Sequence, residues 1–292
     1  MRAAIVGLMW LSLTATVQAR DIFVDNLNGD DRRNGATPTS QGAAAGPVRT
    51  IAKAMRLSNG GDRVILLKTS EPYREPITVQ GPRCSGHPER PFQIIGNGSV
   101  LDGRVPLVDA DWEYVGNDVF RVHPRLMSFQ QLFLGDAPAV RRLPVGGLPP
   151  ALQPLEWCSL DGYIYFRVET DRLPNFYPLS CCGEKTGITL YNAHDVVISD
   201  LTVQGFQLDG VNAHDNVRRT DWIGVTSVNN GRSGFSVGGA SRVRMESCIA
   251  AGNGVAQVRV EGYSITQLVA GEFDAASAPQ LVREGGRVLI EK

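Results

Sequence analysis

The stretch from Ile188 to Gln280 decides the fold, because it divides into four similar lines: ITLYNAHDVVISDLTVQGFQLDG (188–210), VNAHDNVRRTDWIGVTSVNNGRSG (211–234), FSVGGASRVRMESCIAAGNGVAQ (235–257) and VRVEGYSITQLVAGEFDAASAPQ (258–280). A fifth line starts at Leu281. The starts of successive lines are therefore separated by a nearly constant number of residues. Each line contains short segments in which apolar and polar residues alternate. Such alternation is typical of β-strands, and a period in the range of roughly 20–50 residues indicates the stacked units of a solenoid. Together they predict the coils of a β-solenoid.

Equivalent positions in the lines share a chemical character, which is expected of side chains that stack inside a solenoid. The columns are Val196/Thr220/Val243/Thr266, Ile198/Trp222/Met245/Leu268, Leu201/Val225/Cys248 and Val203/Ser227/Ala250/Phe273. Trp222 is therefore predicted to be buried between Ile198 and Met245. Asn230 and Asn253, which are separated by the same offset, are expected to stack at a turn and to hydrogen-bond along the solenoid axis.

The composition excludes several classes of protein. The 29 Lys and Arg residues against 30 Asp and Glu give a net charge of -1, so no broad basic surface for nucleic acid is expected. Residues 1–19 combine a positive start, an apolar run and the small-residue site Val17-Gln18-Ala19, which predicts a cleaved signal peptide. We therefore expect a secreted or periplasmic protein with no stable membrane insertion after cleavage.

The expected export to an oxidising compartment permits disulfides among the five cysteines, Cys84, Cys158, Cys181, Cys182 and Cys248. The odd count leaves at least one thiol free or in an intermolecular bond. Cys248 occupies an inward column, so it is predicted to be a buried free thiol. We expect at least one disulfide to join Cys158 or Cys84 to the Cys181-Cys182 pair.

The remainder of the chain is predicted to divide around the repeat. Residues 20–103 are interpreted as an N-terminal cap with the first coils, including a capping helix over 47–58 and strands at 64–67, 77–79, 92–95 and 100–101. Residues 104–187 break the pattern and are rich in Pro and aromatic residues. They are interpreted as an ordered insertion with strands near 118–122, 131–134 and 163–168. Residues 188–292 then form the C-terminal coils.

The opening of the mature chain resembles the cap of secreted right-handed parallel β-helix proteins, the pectate-lyase-like family. The matching segments are Ile22-Phe23-Val24-Asp25, Asn28-Gly29-Asp30-Asp31, Asn34-Gly35, Pro47 to Ala54, Gly61-Asp62-Arg63-Val64, Tyr73-Arg74-Glu75 and Pro91-Phe92-Gln93-Ile94. The resemblance covers about residues 21–103 and 188–292. It implies an all-β fold, a right-handed parallel β-helix with an N-terminal capping helix and an inserted β-containing segment.

The resemblance also implies action on polysaccharide, since the family includes pectate lyases, alginate lyases and chondroitinases. The catalytic motifs of polygalacturonase-type hydrolases are not found in the coils, where Asp-Asp, for example, occurs only at Asp30-Asp31 in the cap. Lyases of this fold commonly use a Lys or Arg base with calcium-binding carboxylates. No Lys falls within a predicted mid-coil strand, so an Arg or His base remains open.

Outward positions on the first strand of each coil supply the candidate site. If Val211 and Ala213 point inward, alternation predicts two exposed columns: Tyr191, His214, Gly238 and Glu261, and beside it Thr189, Asn212, Ser236 and Arg259. Coils lie roughly 4.8 Å apart, so His214 and Glu261 should be about 10 Å apart. We predict His214, Tyr191 and Glu261 as catalytic, Arg259 and Asn212 as substrate-binding, and Asp209 and Asp215 as calcium ligands.

Two classes of function are compatible with this pattern. The first is a lyase or hydrolase of acidic glycans outside the cytoplasm, in which Arg259 binds a uronate carboxylate and His214 or Tyr191 moves a proton. The second is a non-catalytic β-helix that binds glycans or has a structural role at a surface. If the chain is an enzyme, the insertion at 104–187 is expected to wall one side of the groove.

Overall fold

A computed structural model of the protein describes residues 19–108, 110–125 and 129–291. Apart from Ala19, the predicted signal peptide lies outside these residues. Within the described residues, no helix has the length and apolar character needed to cross a membrane.

The N-terminal part forms a cap and the first coils. Its strands are β1 (Asp21–Val24), β2 (Arg63–Leu66), β3 (Ile77–Gln80) and β4 (Phe92–Asp102), with the helix α1 (Ile51–Leu57) and a 3₁₀ turn at Pro82–Cys84. The helix is shorter than predicted because Val48 forms a bridge with Val24 instead. Thr50 caps it through the Lys53 amide. The two strands expected at 92–95 and 100–101 are the halves of β4, which bends where Asn97 and Gly98 adopt positive φ.

The next segment forms two antiparallel-rich sheets. Its strands are β5 (Arg104–Pro106), β6 (Glu113–Gly116), β7 (Val119–Val122), β8 (Leu132–Leu134), β9 (Ala137–Pro138), β10 (Val140–Arg141), β11 (Glu156–Leu160), β12 (Tyr163–Arg167) and β13 (Leu179–Cys182), with a 3₁₀ turn at Pro174–Phe176. One sheet has the order β10-β11-β12-β7-β6 and the other β5-β13-β8-β9. We call the segment 103–187, between β4 and the next solenoid strand, the insertion.

The repeat forms the remaining coils. Its strands are β14 (Ile188–Tyr191), β15 (His194–Gln204), β16 (Asp209–Asp215), β17 (Arg218–Ile223), β18 (Thr226–Val228), β19 (Ser233–Val237), β20 (Arg242–Glu246), β21 (Ile249–Ala251), β22 (Ala256–Val269), β23 (Glu272–Phe273) and β24 (Leu281–Glu291). These strands and β1–β4 form a single curled parallel sheet. The chain therefore folds as the predicted right-handed parallel β-helix, since parallel crossovers take that hand.

The curled sheet has three faces that each coil visits in turn. Face 1 contains β3, β14, β16, β19 and the leading halves of β22 and β24. Face 2 contains β1, β2, β17, β20 and the adjoining parts of β4, β15, β22 and β24. Face 3 contains β18, β21, β23 and the last residues of β4 and β15. The insertion leaves the solenoid at the seam between faces 3 and 1.

The backbone pairing confirms the predicted register. Ile188 pairs with Val211, Val211 with Phe235, Phe235 with Val258, and Val258 with Leu281. Trp222 pairs with Ile198 and Met245 and is fully buried. It also stacks on Phe235, with ring centroids 5.6 Å apart. The core of the β-helix is thus built from layers of equivalent side chains, as a solenoid requires.

Buried asparagines confirm the expected ladder along the axis. The Asn253 Oδ1 atom accepts hydrogen bonds from the Asn230 backbone N at 2.9 Å and from its Nδ2 at 3.0 Å. The Asn253 Nδ2 donates to the Ser227 carbonyl at 3.0 Å. The Asn253 side chain thus hydrogen-bonds the Asn230 amide and the Ser227 carbonyl at the seam between faces 3 and 1.

The cysteines correct one prediction. All five thiols are free and buried, so the expected disulfide to the Cys181-Cys182 pair is wrong. The thiols belong to separate clusters: Cys84 and Cys248 pack in the β-helix core, while Cys181 and Cys158 pack in two different clusters of the insertion. Burial raises the pKa of Cys158 and of Cys248 to about 11, because the apolar surroundings disfavour the thiolate.

Candidate functional site

The outward side of face 1 carries most of the predicted site residues, whereas Asp209 is buried at its edge. The ladder pairs Thr189 with Asn212, Asn212 with Ser236, and Ser236 with Arg259, so these four residues form one row across the coils. Val211 and Ala213 are buried, as alternation requires. The row therefore points outward as predicted, but it is not an exposed column: Ser236 is buried, and Thr189, Asn212 and Arg259 are only partly exposed.

Tyr191 and His214 form an exposed aromatic pair at one end of face 1. Their ring centroids are 6.0 Å apart and the planes are tilted by 39°. A backbone irregularity after Leu190 pairs Tyr191 with Asp215, one residue beyond the expected partner. The rings nevertheless stay in contact, and Tyr191 is 41% exposed. Both rings are therefore available to a ligand that crosses the coils.

Gly238 lies between His214 and Glu261 in the second row. A Cβ atom at Gly238 would lie 3.0 Å from the Glu261 Oε1 atom and 3.1 Å from the His214 carbonyl. The missing side chain leaves the space into which Glu261 turns. His214 and Glu261 are therefore separated by one coil whose position in this row carries no side chain.

Arg259 joins two carboxylates from adjacent coils. Its Nη2 atom lies 2.8 Å from the Glu261 Oε2 atom and also donates a hydrogen bond to the Glu284 Oε2 atom. Because both oxygens contact the same nitrogen, they lie within roughly two hydrogen-bond lengths, about 6 Å, of each other. The side chain of Arg259 is 17% exposed, whereas those of Glu261 and Glu284 are 36% and 55% exposed. Two accessible carboxylates thus flank one largely covered guanidinium.

Asp209 is engaged by a second arginine. Arg232 donates from Nε and Nη2 to the two carboxylate oxygens at 3.0 and 2.6 Å, and Asn212 donates to Oδ2 at 3.1 Å. Asp209 is fully buried. The Phe129 ring from the insertion lies 5.9 Å from the Arg232 guanidinium. Asp209 and Asn212 therefore position Arg232 at the seam, beneath the insertion.

Asp215 holds a turn together. Its Oδ1 atom accepts hydrogen bonds from the Asn216 and Ala240 amides, both at 2.8 Å. Calcium takes six to eight oxygen ligands, drawn from carboxylates, carbonyls and water. Both carboxylate oxygens of Asp209 are engaged by Arg232 and Asn212, and the Oδ1 atom of Asp215 is engaged by two backbone amides, so these oxygens do not fit a calcium ion as they stand. Among the described residues, no group of three or more His, Cys, Asp or Glu side chains is placed to hold a metal ion.

Sequence reasoning missed Glu284 and Arg232, and it was wrong to place Ser236 in an exposed column. Glu284 pairs with Glu261 in the ladder, and Arg232 lies one coil length after Asp209, so the repeat itself contained both signals. The Ser236 hydroxyl is buried, and no hydrogen-bond partner for it lies among the described residues. The contact between Phe129 and Arg232 had no signal in the sequence, because it joins the insertion to the repeat.

Comparisons with known proteins extend the account of the fold. No protein-family model matches the sequence, and no curated protein matches it. A solved structure titled "Glycoside hydrolase" aligns with a TM-score of 0.53 and 10% identity over 86% of this chain and 74% of that one. A structure of XylC with xylose aligns with a TM-score of 0.40 and 12% identity over 93% and 70% of the two chains.

A structure of pectate lyase Pel9A aligns with a TM-score of 0.30 and 11% identity over 94% of this chain and 78% of that one. At these identities the likeness concerns the fold alone. The parallel pairing of strands one coil apart and the alignment with the first of these structures both indicate the same fold. The chain is therefore a right-handed parallel β-helix protein.

Proposed function

We propose that the protein hydrolyses a glycan bound along the outward side of face 1. The observation that carries the proposal is the pair of carboxylates, Glu261 and Glu284, that share the Arg259 Nη2 atom. Glycoside hydrolysis commonly uses two carboxyl groups, and enzymes that retain the sugar configuration hold them about 5 Å apart. The spacing set by Arg259 is compatible with that distance.

The two carboxyl groups are assigned different roles. Glu261 is the less exposed and is the nucleophile, held in place by the Arg259 guanidinium. Glu284 is more exposed and is assigned the acid role. Its contact with Arg259 favours the ionised carboxylate, so the mechanism requires the bound glycan to displace that contact and Glu284 to take up a proton. Glu284 then donates this proton to the glycosidic oxygen while the C–O bond breaks and Glu261 bonds to the anomeric carbon. A water molecule then attacks that carbon, returns a proton to Glu284 and releases the sugar from Glu261. Sugar configuration is thereby retained.

The rest of face 1 supplies a surface for a linear polymer. Stacked strands form a flat, extended face across the coils. The exposed rings of Tyr191 and His214 offer apolar surface for a sugar ring, and Asn212 offers an amide. A structure of this fold that aligns over most of the chain is titled "Glycoside hydrolase".

The charge of the face favours a neutral glycan over the acidic one expected from the sequence. Apart from the buried Asp209–Arg232 pair, one positive group, Arg259, is opposed by three negative ones, Asp215, Glu261 and Glu284. Arg259 is already paired with two carboxylates, so a uronate would have to displace one of them. A calcium-dependent lyase based on His214 or Tyr191 is accordingly the weaker candidate. Glycan binding without cleavage is the other alternative.

The test is a screen for cleavage of neutral and acidic polysaccharides, with and without calcium. We expect reducing ends to appear from a neutral polymer and the product to keep its anomeric configuration by nuclear magnetic resonance. Glu261→Gln and Glu284→Gln should each lower the rate roughly a hundredfold or more. The matched control is Glu272→Gln, an exposed carboxylate on face 3, which should leave the rate unchanged.

Three results would count against the proposal. If no polysaccharide is cleaved, the protein binds glycans or has a structural role. Unsaturated products, detected by ultraviolet absorbance, would indicate a lyase. Full activity in both Glu→Gln variants would remove the carboxylate pair from the mechanism.

A further inference from the structure

A second groove lies where the insertion meets the first coils, separate from the residues of face 1. It encloses about 860 Å³, within the range of roughly 300–1,000 Å³ typical of ligand pockets. Its lining includes β5, the segment 175–180 that leads into β13, and the 135–136 turn, all from the insertion. Arg74 and Asp102 contribute from the first coils. The groove therefore exists only because the insertion and the β-helix meet there.

The walls of the groove expose apolar side chains. Phe176, Val105 and Val108 are 63%, 39% and 59% exposed. The Arg172 guanidinium lies 5.6 Å from the Phe176 ring centroid, so a cation–π contact supports the ring on one side. Apolar side chains gathered around one concave surface are typical of interaction sites. The aromatic ring gives this surface a flat platform.

The floor of the groove is held by a buried ion pair. Asp102 is 1% exposed and accepts hydrogen bonds from Arg104 at 2.9 to 3.0 Å from Nε and 2.7 Å from Nη2. Gln204 donates to the same carboxylate at 3.2 Å. Arg104 in turn lies 5.1 Å from the Phe133 ring centroid of the insertion. These contacts fix the floor before any ligand binds, which lowers the entropic cost of binding.

Polar groups of both signs surround the apolar walls. Arg74 has a side chain that is 53% exposed and donates one hydrogen bond, at 3.2 Å, to the Arg104 carbonyl. Asp136 is fully exposed, and Glu184 also lines the groove. Arg74 and Arg104 are opposed by Asp102, Asp136 and Glu184, so the lining carries a net charge of one negative. That balance disfavours a polyanion, and the charged rim disfavours a purely apolar ligand.

We propose that this groove is a second binding site for a neutral glycan chain, resting on the proposed function of face 1. A pyranose ring has an apolar face that stacks on an aromatic ring and a rim of hydroxyl groups that hydrogen-bond to charged side chains. Phe176 supplies the platform, while Arg74 and Asp136 supply the donor and the acceptor. The groove anchors the polymer and keeps other parts of it near face 1.

The test measures binding rather than cleavage. Affinity electrophoresis of the full chain in gels that contain xylan, galactan or glucomannan should show retardation by at least one of these neutral polymers. Phe176→Ala and Arg74→Ala should each weaken that retardation about tenfold. Leu173→Ala is the matched control, because Leu173 is 50% exposed on the same segment but does not line the groove. It should bind as the wild type does.

The outcomes separate the two proposals. Loss of binding in Phe176→Ala without any cleavage by the wild type would support the groove and overturn the hydrolase. Unchanged binding in both groove variants, or no retardation of the wild type by any neutral polymer, would overturn the groove whatever the activity. Retardation by polygalacturonate or alginate alone would overturn its assignment to a neutral glycan. Repeating the assay with Glu261→Gln prevents cleavage from altering the gel.

Discussion

The β-helix and the insertion are both built from short strands, yet they are organised in opposite ways. In the β-helix, strands one coil apart pair in parallel, so Trp222 meets Met245 of the following coil. In the insertion most strands pair in antiparallel, as β11 and β12 do across a tight turn. The two regions also have separate hydrophobic clusters: one around Trp222 in the β-helix, and a larger one around Trp157 beside a smaller one in the insertion. The β-helix core is thus specified by a repeat, whereas the core of the insertion is specified by individual contacts.

The largest expected effect comes from removing the tryptophan of either core. Trp222→Ala should destabilise the β-helix by roughly 3–5 kcal/mol, because it leaves a cavity in the buried core and removes the stacking partner of Phe235. Trp157→Ala should destabilise the insertion by a similar amount. Urea unfolding followed by circular dichroism and by limited proteolysis measures both variants.

The two Trp→Ala variants should differ in which region of the protein becomes unstable. We expect Trp157→Ala to expose the insertion to protease while the midpoint of the β-helix transition stays in place. The control is Tyr263→Ala, which removes an aromatic side chain that is 91% exposed on β22 of the β-helix. It should change the free energy of unfolding by less than about 0.5 kcal/mol. Equal shifts of one common transition by Trp222→Ala and Trp157→Ala would show that the two regions unfold together.

The difference between the regions also explains what the sequence predicted. The columns and the Asn230–Asn253 ladder were predictable because one coil offset fixes every inward neighbour. The same offset relates Arg232 to Asp209, which it contacts. The Glu284 carboxylate was likewise one coil beyond Glu261. Those pairs were missed because outward positions carry polar residues by default, so their identity alone does not indicate a contact.

Contacts between the insertion and the β-helix could not be predicted. The Gln131 Nε2 atom donates to the carbonyls of Asn230 at 3.3 Å and Gly252 at 2.8 Å, both far away in the sequence. No periodicity relates Gln131 to these turns, and the same holds for the groove at Arg74 and Phe176. The free thiols were mispredicted for a related reason. Cysteine spacing carries no information about which cluster buries each side chain.

An intermediate effect is expected in the reactivity of the buried thiols. Burial raises the pKa of Cys158 in the insertion and of Cys248 in the β-helix to about 11, so both thiolates are suppressed at neutral pH. Both side chains are buried, so a reagent reaches them only when the structure opens locally. We expect Cys158 to be modified at least tenfold faster than Cys248 in native buffer, which corresponds to about 1.4 kcal/mol. Peptide mass mapping over time measures both sites.

Two labelling results would contradict this prediction. Equal rates for Cys158 and Cys248 would mean that the insertion opens only when the β-helix does. Cys158→Ala and Cys248→Ala serve as controls that assign each modified peptide. Faster labelling of Cys248 would contradict the view that stacked coils protect their core.

The smallest expected effect concerns an ion pair on face 2 of the β-helix. Arg219 donates to the two carboxylate oxygens of Asp195 at 2.6 and 2.7 Å, and the His194 Nδ1 atom lies 2.8 Å from Oδ2. The Arg219 hydrogen bonds first, and that of His194 after them, lower the pKa of Asp195 to about 2, despite the burial of its carboxylate. The unfolded chain therefore binds this proton at a higher pH than the folded one does. The stabilisation is present above about pH 4, the ordinary range of an Asp carboxyl, and is lost as the pH falls from there to about 2. The Arg219 side chain is 60% exposed, so solvent screening keeps the contribution at neutral pH small.

Arg219→Gln should be slightly less stable than the wild type at pH 7, and the two unfolding free energies should converge towards pH 2. Arg218→Gln, a change at the exposed neighbouring residue, should follow the wild type throughout. A constant difference between Arg219→Gln and the wild type across this range would show that the Asp195 charge does not act through Arg219.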